Sequence, residues 1–179
     1  MALTDAQYTT LKAHIIANTN QTVIDALALP DWMTLSIWYS ALSSPAFIVW
    51  KTRVAALDVI NSTVFSGAGG FIARTVGERD GYNLLLNSGW IEPWRTETRQ
   101  KFSDIFSGTG VGAPETRAAL LALSKRTATN VEKVFATGTG TDASPATVTY
   151  EGMLSMEDAM YNCISCETWS PNTLRSASK

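Results

Sequence analysis

Apolar residues recur every three or four positions in several stretches of the chain, which is the spacing of an amphipathic helix. The first stretch opens with Thr4, a good N-cap, and has Gln7 three residues later, so the pair forms a capping box. Apolar and aromatic residues then follow at helical spacing: Tyr8, Leu11, Ile15 and Ile16. The pattern predicts a helix that ends near Ala17.

The next part of the chain alternates short helical stretches with breaks. Residues 22–28 and 31–44 predict two helices, the first of which ends before Pro30. Residues 46–60 open with β-branched and aromatic side chains and continue at helical spacing, so they predict an extended start that runs into a helix. The sequence SGAGG at 66–70 predicts a flexible break. Residues 71–94 predict helix pieces broken at three glycines: Gly77, Gly81 and Gly89.

Longer helices are predicted in the second half. Pro93 is placed as the first-turn proline of a helix that runs to about Phe106. Phe102, Ile105 and Phe106 are expected to form its buried face. A charged amphipathic stretch predicts one continuous helix from Ala113 to Ala136, with Pro114 in its first turn and Gly138 just past its end. Its apolar stripe comprises Leu120, Leu121, Ala128, Val131, Val134 and Phe135. Ser155 and Asp158 have the spacing of a second helix start.

Residues 137–152 have the pattern of a loop followed by a strand. Val148 and Tyr150 alternate with polar residues at 147, 149 and 151, which is the period of two expected for a strand. A single strand needs the edge of another strand with which its backbone can form hydrogen bonds. Either it folds back within the chain as a surface hairpin, or it acts as an arm that adds to a neighbour's sheet. The second alternative makes Val148 and Tyr150 candidate partner-binding residues.

The predicted fold class is mainly α. We expect a helical bundle with a short β-hairpin or extended arm at about 137–152 and a flexible C-terminal tail. One helical domain is expected over 1–168, with the tail at 169–179. The tail is short, polar and free of any clear helical period.

Composition narrows the function classes. Of 179 residues, 17% are charged, and the formal net charge is −2. The basic excess typical of a nucleic-acid-binding domain is therefore missing. Local basic groups around Arg95–Lys101 and Arg117–Lys133 are interleaved with glutamates, which favours solvated helix faces. Low charge leaves a surface less protected against association. It indicates either a compact domain with a neutral surface or a surface that meets partner subunits, where charge is depleted.

Candidate chemistry is sparse. His14 has no sequence neighbour that could complete a catalytic pair, so we expect a structural role. Cys163 and Cys166 lie three residues apart on a predicted helix, which favours two packed thiols over a redox or zinc site. The glycines at 67–70 lack the dinucleotide-binding spacing. We expect no catalytic residues, no cofactor and no metal site. An assembly component is the preferred interpretation.

Targeting signals and tryptophans add two expectations. The start of the chain lacks a signal-peptide pattern and no stretch is long enough to span a membrane, so we expect synthesis in a cytoplasm-like compartment and no membrane partner. Five of the six tryptophans lie among apolar neighbours, typical of a core or interface. Trp169 lies in the predicted tail, which makes it a candidate partner-binding residue.

Three sequence runs resemble small virion proteins of tailed bacteriophages encoded in the head and head–tail region. They are LTDAQYTTLKAHI near the start, FSDIFSGTGVG in the middle, and LSKRTATNVEKVFATGTGTDASPATVTYEGMLSMEDAM toward the end. The run from Ala136 to Gly152, ATGTGT-x-x-SPAT-x-T-x-EG, carries the resemblance best. In outline the chain is similar to helical head-to-tail connector, or adaptor, proteins.

The resemblance implies a structural role in the virion at the head–tail interface. Connector proteins form a ring, usually of twelve copies, that joins the portal protein above to tail or nozzle proteins below, with passive contact to DNA in the channel. It implies a portal-binding role for the tail, where Trp169, Leu174 and Arg175 are the candidate contacts. The alternatives are a capsid decoration or other minor virion protein, and a small helical enzyme or regulator from the same genome.

We expect deletion of residues 170–179 to weaken head–tail joining, because this tail is the segment predicted to engage the portal. Electron microscopy of lysates measures the fraction of filled heads that carry tails. Normal joining by the shortened chain would remove the role assigned to the tail.

Overall fold

The computed structural model describes residues 3–164, and it is mainly α-helical with a few short strands. Within these residues no helix combines the length and apolar character needed to cross a membrane. In chain order the elements are α1 Asp5–Ile16, α2 Gln21–Ala28, α3 Trp32–Ser40, β1 Ile48–Trp50, β2 Val54–Ala55, α4 Ala56–Asn61, a 3-10 helix Phe71–Ala73, α5 Val76–Leu86, β3 Trp90–Ile91, α6 Thr96–Ile105, α7 Ala113–Leu123, β4 Lys125–Thr127, α8 Asn130–Val134, β5 Ala136–Thr137, β6 Thr147–Val148 and α9 Met156–Ile164.

The strands form three two-stranded sheets, β1 with β4, β2 with β3 and β5 with β6. In the antiparallel β2–β3 pair, Val54 lies opposite Ile91. Ala146 also pairs with β1: its N–H donates to the Ile48 carbonyl at 2.9 Å, and it accepts from the Trp50 N–H at 3.0 Å. The segment at 137–152 therefore folds back and pairs within its own chain.

The described chain divides into two compact units, each assembled from separate segments. Unit 1 combines 3–47, Thr127–Gly140 and 148–164, and unit 2 combines Ile48–Arg126 and Thr141–Thr147. The chain therefore leaves unit 1 after α3, forms most of unit 2, and returns to complete unit 1.

Unit 1 has a core built from α1, α2, α3, α8 and α9. Its fully buried side chains come from helix faces and include Leu11, Val23, Leu35, Tyr39 and Val131. The spacing of Leu11 and Ile15 puts both on one face of α1, and both are buried. The predicted capping box at Thr4 is confirmed, since Thr4 and Gln7 each accept the other's backbone N–H.

Unit 2 has a second, aromatic core. Tyr82 lies between Phe71, Phe102 and Phe106, with ring centroids 4.9, 6.2 and 5.9 Å away. The phenol oxygen of Tyr82 is 2.7 Å from Thr63 Oγ1, which satisfies the buried hydroxyl. The prediction that α6 buries Phe102, Ile105 and the following Phe106 is confirmed.

The predicted flexible break at 66–70 is instead a tightly packed loop. It lies directly against a second glycine-rich loop, residues 107–112. There the Gly69 N–H donates to the Val111 carbonyl at 2.7 Å. A Cβ on Gly69 would meet the Gly110 oxygen at 2.2 Å. Arg74 spans both loops, because its guanidinium donates to the carbonyls of Ala68 and Ser107. These glycines are needed for a close approach of two backbones, not for motion.

The predicted single helix from Ala113 to Ala136 is wrong. Helix α7 ends at Leu123, the chain extends through β4, and α8 begins after Thr129. Thr129 and Glu132 form a new capping box that starts α8. The Ala128 N–H donates to the Phe47 carbonyl and the Asn130 N–H to that of Ala41, so distant backbone groups replace helical bonds here.

Two smaller predictions also fail. Helix α5 runs without interruption through Gly77 and Gly81, because a helical glycine lowers stability but does not by itself end a helix. Helix α6 begins at Thr96, so Pro93 lies in the preceding turn rather than in the first helical turn. The predicted extended start running into a helix at 46–60 is confirmed by β1, β2 and α4.

We expect Gly69→Ala to lower the free energy of unfolding by about 1–3 kcal/mol, the usual cost of an overpacked core. The added methyl group would overlap the Gly110 oxygen and approach Ala113 Cβ at 2.8 Å. Urea unfolding measures the change.

Gly81→Ala is the matched control. Its Cβ would touch only Ile105 Cδ1, at 4.0 Å, in the middle of α5. We expect a gain of about 0.5–1 kcal/mol from helix propensity. Equal stability changes for the two variants would contradict the packed-loop interpretation.

Candidate functional site

Of the partner-binding residues predicted from sequence, the structure describes Val148 and Tyr150. Val148 is half-buried in β6. Tyr150 is 3% exposed, packs its ring 5.6 Å from that of Phe135 and donates its hydroxyl to the Met153 carbonyl at 2.7 Å. Trp169, Leu174 and Arg175 lie outside the described residues, as does Cys166 of the predicted thiol pair.

A buried carboxylate organises the segment that follows Tyr150. Glu132 is 2% exposed. Its Oε2 accepts the Thr129 N–H at 2.9 Å, and its Oε1 accepts the Gly152 N–H at 3.0 Å. Buried charge is costly unless hydrogen-bonded, and backbone donors at a helix start supply that stabilisation. Glu132 thus fixes the turn at Gly152 to the start of α8.

The chain then attaches to α3 through two serines. Ser36 Oγ donates to the Leu154 carbonyl at 2.7 Å, and Ser40 Oγ accepts the Leu154 N–H at 3.0 Å. Ser36 and Ser40 lie one turn apart on one face of α3. Leu154 itself is buried, whereas its neighbour Met153 is exposed.

Helix α9 starts directly after this attachment. Ser155 Oγ accepts the Asp158 N–H at 2.9 Å, which confirms the predicted helix start. Asp158 also accepts a hydrogen bond from the Tyr8 hydroxyl, and the Tyr8 and Tyr161 rings lie 4.9 Å apart. These contacts fix α9 against α1.

Helices α3 and α9 contact each other, and both carry exposed apolar side chains. On α3, Met33 and Ile37 are 61% and 63% exposed and lie one turn apart. Met156 and Met160 have the same spacing on α9, and Met153 precedes them. We call these five residues the α3/α9 surface. Sequence patterning missed it because the helical period identifies an apolar stripe without telling which side of a helix is covered.

The only histidine of the sequence, His14, is exposed and contacts a side chain of α3. Its Nδ1 lies 2.9 Å from the Tyr39 hydroxyl, which also accepts a hydrogen bond from Asn18. Burial lowers the pKa of His14, and the charge of Lys133 acts in the same direction. The imidazole is therefore mostly neutral at pH 7 and completes a small polar cluster over α3.

Unit 2 contains a separate concave site between α6 and α7. The cavity has a volume of about 160 Å³. Ten residues line it: Ile91, Pro93, Thr98, Arg99, Phe102, Ser103, Arg117, Leu120, Leu121 and Ser124. We call it the α6/α7 pocket. The lining is largely apolar and includes two arginine side chains.

These two arginines are half-buried, and not the fully solvated helix residues that the charge pattern predicted. The spacing at positions 99, 102 and 103, and at 117, 120, 121 and 124, places each arginine on the inner face of its helix. This helical spacing was visible in the sequence and could have indicated the inward position of both arginines. The glutamates between the basic residues favoured the interpretation of solvated faces instead. Among the described residues, no group of three or more His, Cys, Asp or Glu side chains has the arrangement of a metal site.

Comparison with protein-family models, with curated proteins and with solved structures finds no match for this chain.

We expect Tyr8→Phe to destabilise the protein by about 1 kcal/mol near neutral pH through loss of the bond to Asp158. That bond, together with burial and the Asp158 charge, raises the pKa of Tyr8 from 10.0 to about 12. The protonated phenol is the form that the fold favours. Its contribution is therefore complete below pH 10, falls above it, and is lost as pH rises through 12.

Urea unfolding of both proteins in neutral and alkaline buffers measures this difference, and ultraviolet titration shows whether a late tyrosinate step disappears. The stability gap should shrink above pH 10, the ordinary pKa of the phenol. A gap independent of pH would show that Tyr8 contributes only packing.

Proposed function

We propose that this chain is a structural virion protein, a head-to-tail connector subunit that assembles into a ring and joins the capsid to the tail. The observation that carries the proposal is the α3/α9 surface. Large contiguous apolar areas are uncommon on monomeric proteins and typically mark interaction sites. Here two contacting helices each present a pair of exposed apolar side chains one turn apart.

The chemistry of this surface suits contact with a second copy of the chain. Four of its five residues are methionines, whose flexible and polarisable side chains adapt to a partner. All five residues are apolar and exposed, and apolar side chains are typical of the core of subunit interfaces. The whole chain is also low in charge, at 17%.

The arrangement of unit 1 supports the finer description of the fold as a helical bundle with an inserted arm. Contacts join α1, α3, α8 and α9, and α2 packs on α3. The segment after Thr137 interrupts this set of helices before β6. In the proposed ring, the bundle supplies contacts between neighbouring copies, and the C-terminal tail engages the portal.

Cryo-electron microscopy of purified virions tests the proposal directly. We expect one ring of copies, twelve if the resemblance holds, at the vertex that carries the portal. Copies distributed over the capsid lattice would instead identify a decoration protein. Absence of the chain from virions would overturn a structural role altogether.

We expect Ile37→Asp to reduce incorporation of the chain into virions by at least about tenfold, because a buried apolar anchor contributes roughly 1.5–3 kcal/mol. The residue is 63% exposed, so the isolated subunit should keep its fold. Quantitative mass spectrometry of purified virions gives the copy number.

Thr10→Asp adds the same charge at an exposed position of α1 and serves as the control. Thermal unfolding of both isolated variants checks that they fold. Wild-type incorporation of a folded Ile37→Asp chain would exclude the α3/α9 surface as a subunit interface.

A further inference from the structure

The α6/α7 pocket has the size of a single anchoring side chain. Its volume of about 160 Å³ is close to the roughly 150 Å³ of an engineered apolar cavity that binds benzene. Ile91, Phe102 and Leu120 are buried and form its apolar wall. Leu121 and Ser103 also line it and are exposed, so the pocket opens to solvent beside them.

Two arginine residues line the same space. Arg99 donates to the Pro93 carbonyl at 2.5 Å and to Thr96 Oγ1 at 3.0 Å, and its guanidinium lies 4.1 Å from the centre of the Trp50 ring. Arg117 donates to the carbonyls of Phe106 and Gly108. These contacts hold both guanidiniums in place before any ligand arrives.

No ion pair with a described carboxylate neutralises either arginine. Glu97 and Glu115 act on them only at longer range. Burial lowers the pKa of Arg99, with Glu97 opposing it, and a guanidinium stays protonated at neutral pH. None of the ten lining residues is acidic. The pocket thus combines an apolar interior with two arginines that form no ion pair with a described carboxylate.

We propose that the α6/α7 pocket is a docking site for a partner protein, which inserts one phenylalanine-sized side chain and presents an adjacent carboxylate to Arg99 and Arg117. An aromatic ring fits the volume and the apolar wall, and buried aromatic anchors dominate many interfaces. Guanidinium groups recognise carboxylates through paired hydrogen bonds, so the acidic neighbour supplies orientation and charge complementarity. The site lies in unit 2 and uses none of the residues of the α3/α9 surface. This docking proposal therefore does not depend on the proposed ring.

A short capped peptide with one phenylalanine followed by one aspartate is the probe. Methyl NMR of the full chain, labelled at isoleucine and leucine, reports binding at the pocket. We expect saturable shifts of the Ile91, Leu120 and Leu121 methyl groups. Asparagine in place of the peptide's aspartate should weaken binding about tenfold, and alanine in place of its phenylalanine should abolish the shifts.

Leu121→Glu tests the site from the protein side. A carboxylate at the exposed edge of the pocket would compete for the arginines and repel the peptide, so we expect about tenfold weaker binding. Ala122→Glu places the same charge at the next position of α7, outside the lining, and should bind as the wild type does. Both substitutions are at exposed positions, which favours retention of the fold.

Three results with the peptides would overturn the proposal. They are the absence of saturable shifts with the aspartate peptide, equal affinity for the asparagine peptide, and equal weakening by the two glutamate variants. Binding of free 3-phenylpropionate without binding of the peptide would also overturn it, because the site would then take a small carboxylate and not a protein segment.

Discussion

The buried carboxylate of Glu132 is the interaction on which the architecture of unit 1 depends. It joins two backbone N–H groups twenty-three residues apart in sequence, at Thr129 and Gly152. Because the turn at Gly152 is fixed, Leu154 reaches the serines of α3 and α9 begins at a defined place. The position of the exposed methionines of α9 therefore depends on the buried side chain of Glu132. An apolar residue at 132 would leave both donors without their partner, and buried donors of that kind are costly.

Unit 2 depends on a different constraint, the approach of two glycine-rich loops. Side chains are excluded where the backbones meet, so the loops are held by backbone hydrogen bonds and by arginines that bind carbonyl oxygens. Arg117 connects this region to the α6/α7 pocket, because it lines the pocket while binding the Phe106 and Gly108 carbonyls. The position of Arg117 in the α6/α7 pocket thus depends on how the two glycine-rich loops pack.

Local signals in the sequence predicted the elements that local interactions determine. The capping box at Thr4, the Ser155 side chain that caps α9 and the buried face of α6 required only neighbouring residues. The break after Leu123 was missed because the stretch around Thr127 keeps a helical apolar period, while the groups that hold it open, such as the Phe47 carbonyl, lie some eighty residues away. The pocket was missed for the same reason. Arg99 and Arg117 have acidic neighbours in sequence, but the wall they face is formed by another helix.

The interleaving of the two units has a consequence for synthesis on the ribosome. Unit 2 receives its main segment, Ile48–Arg126, before any of α8 or α9 has been made. Helices α1 to α3 emerge first, yet the core that contains Leu35 and Tyr39 also contains Val131 and Leu154, which emerge much later. The apolar faces of the newly made α1 to α3 are therefore not fully covered until these later residues have been translated. The helices that are translated first thus belong to a core that is completed only after α8 and Leu154 have been made.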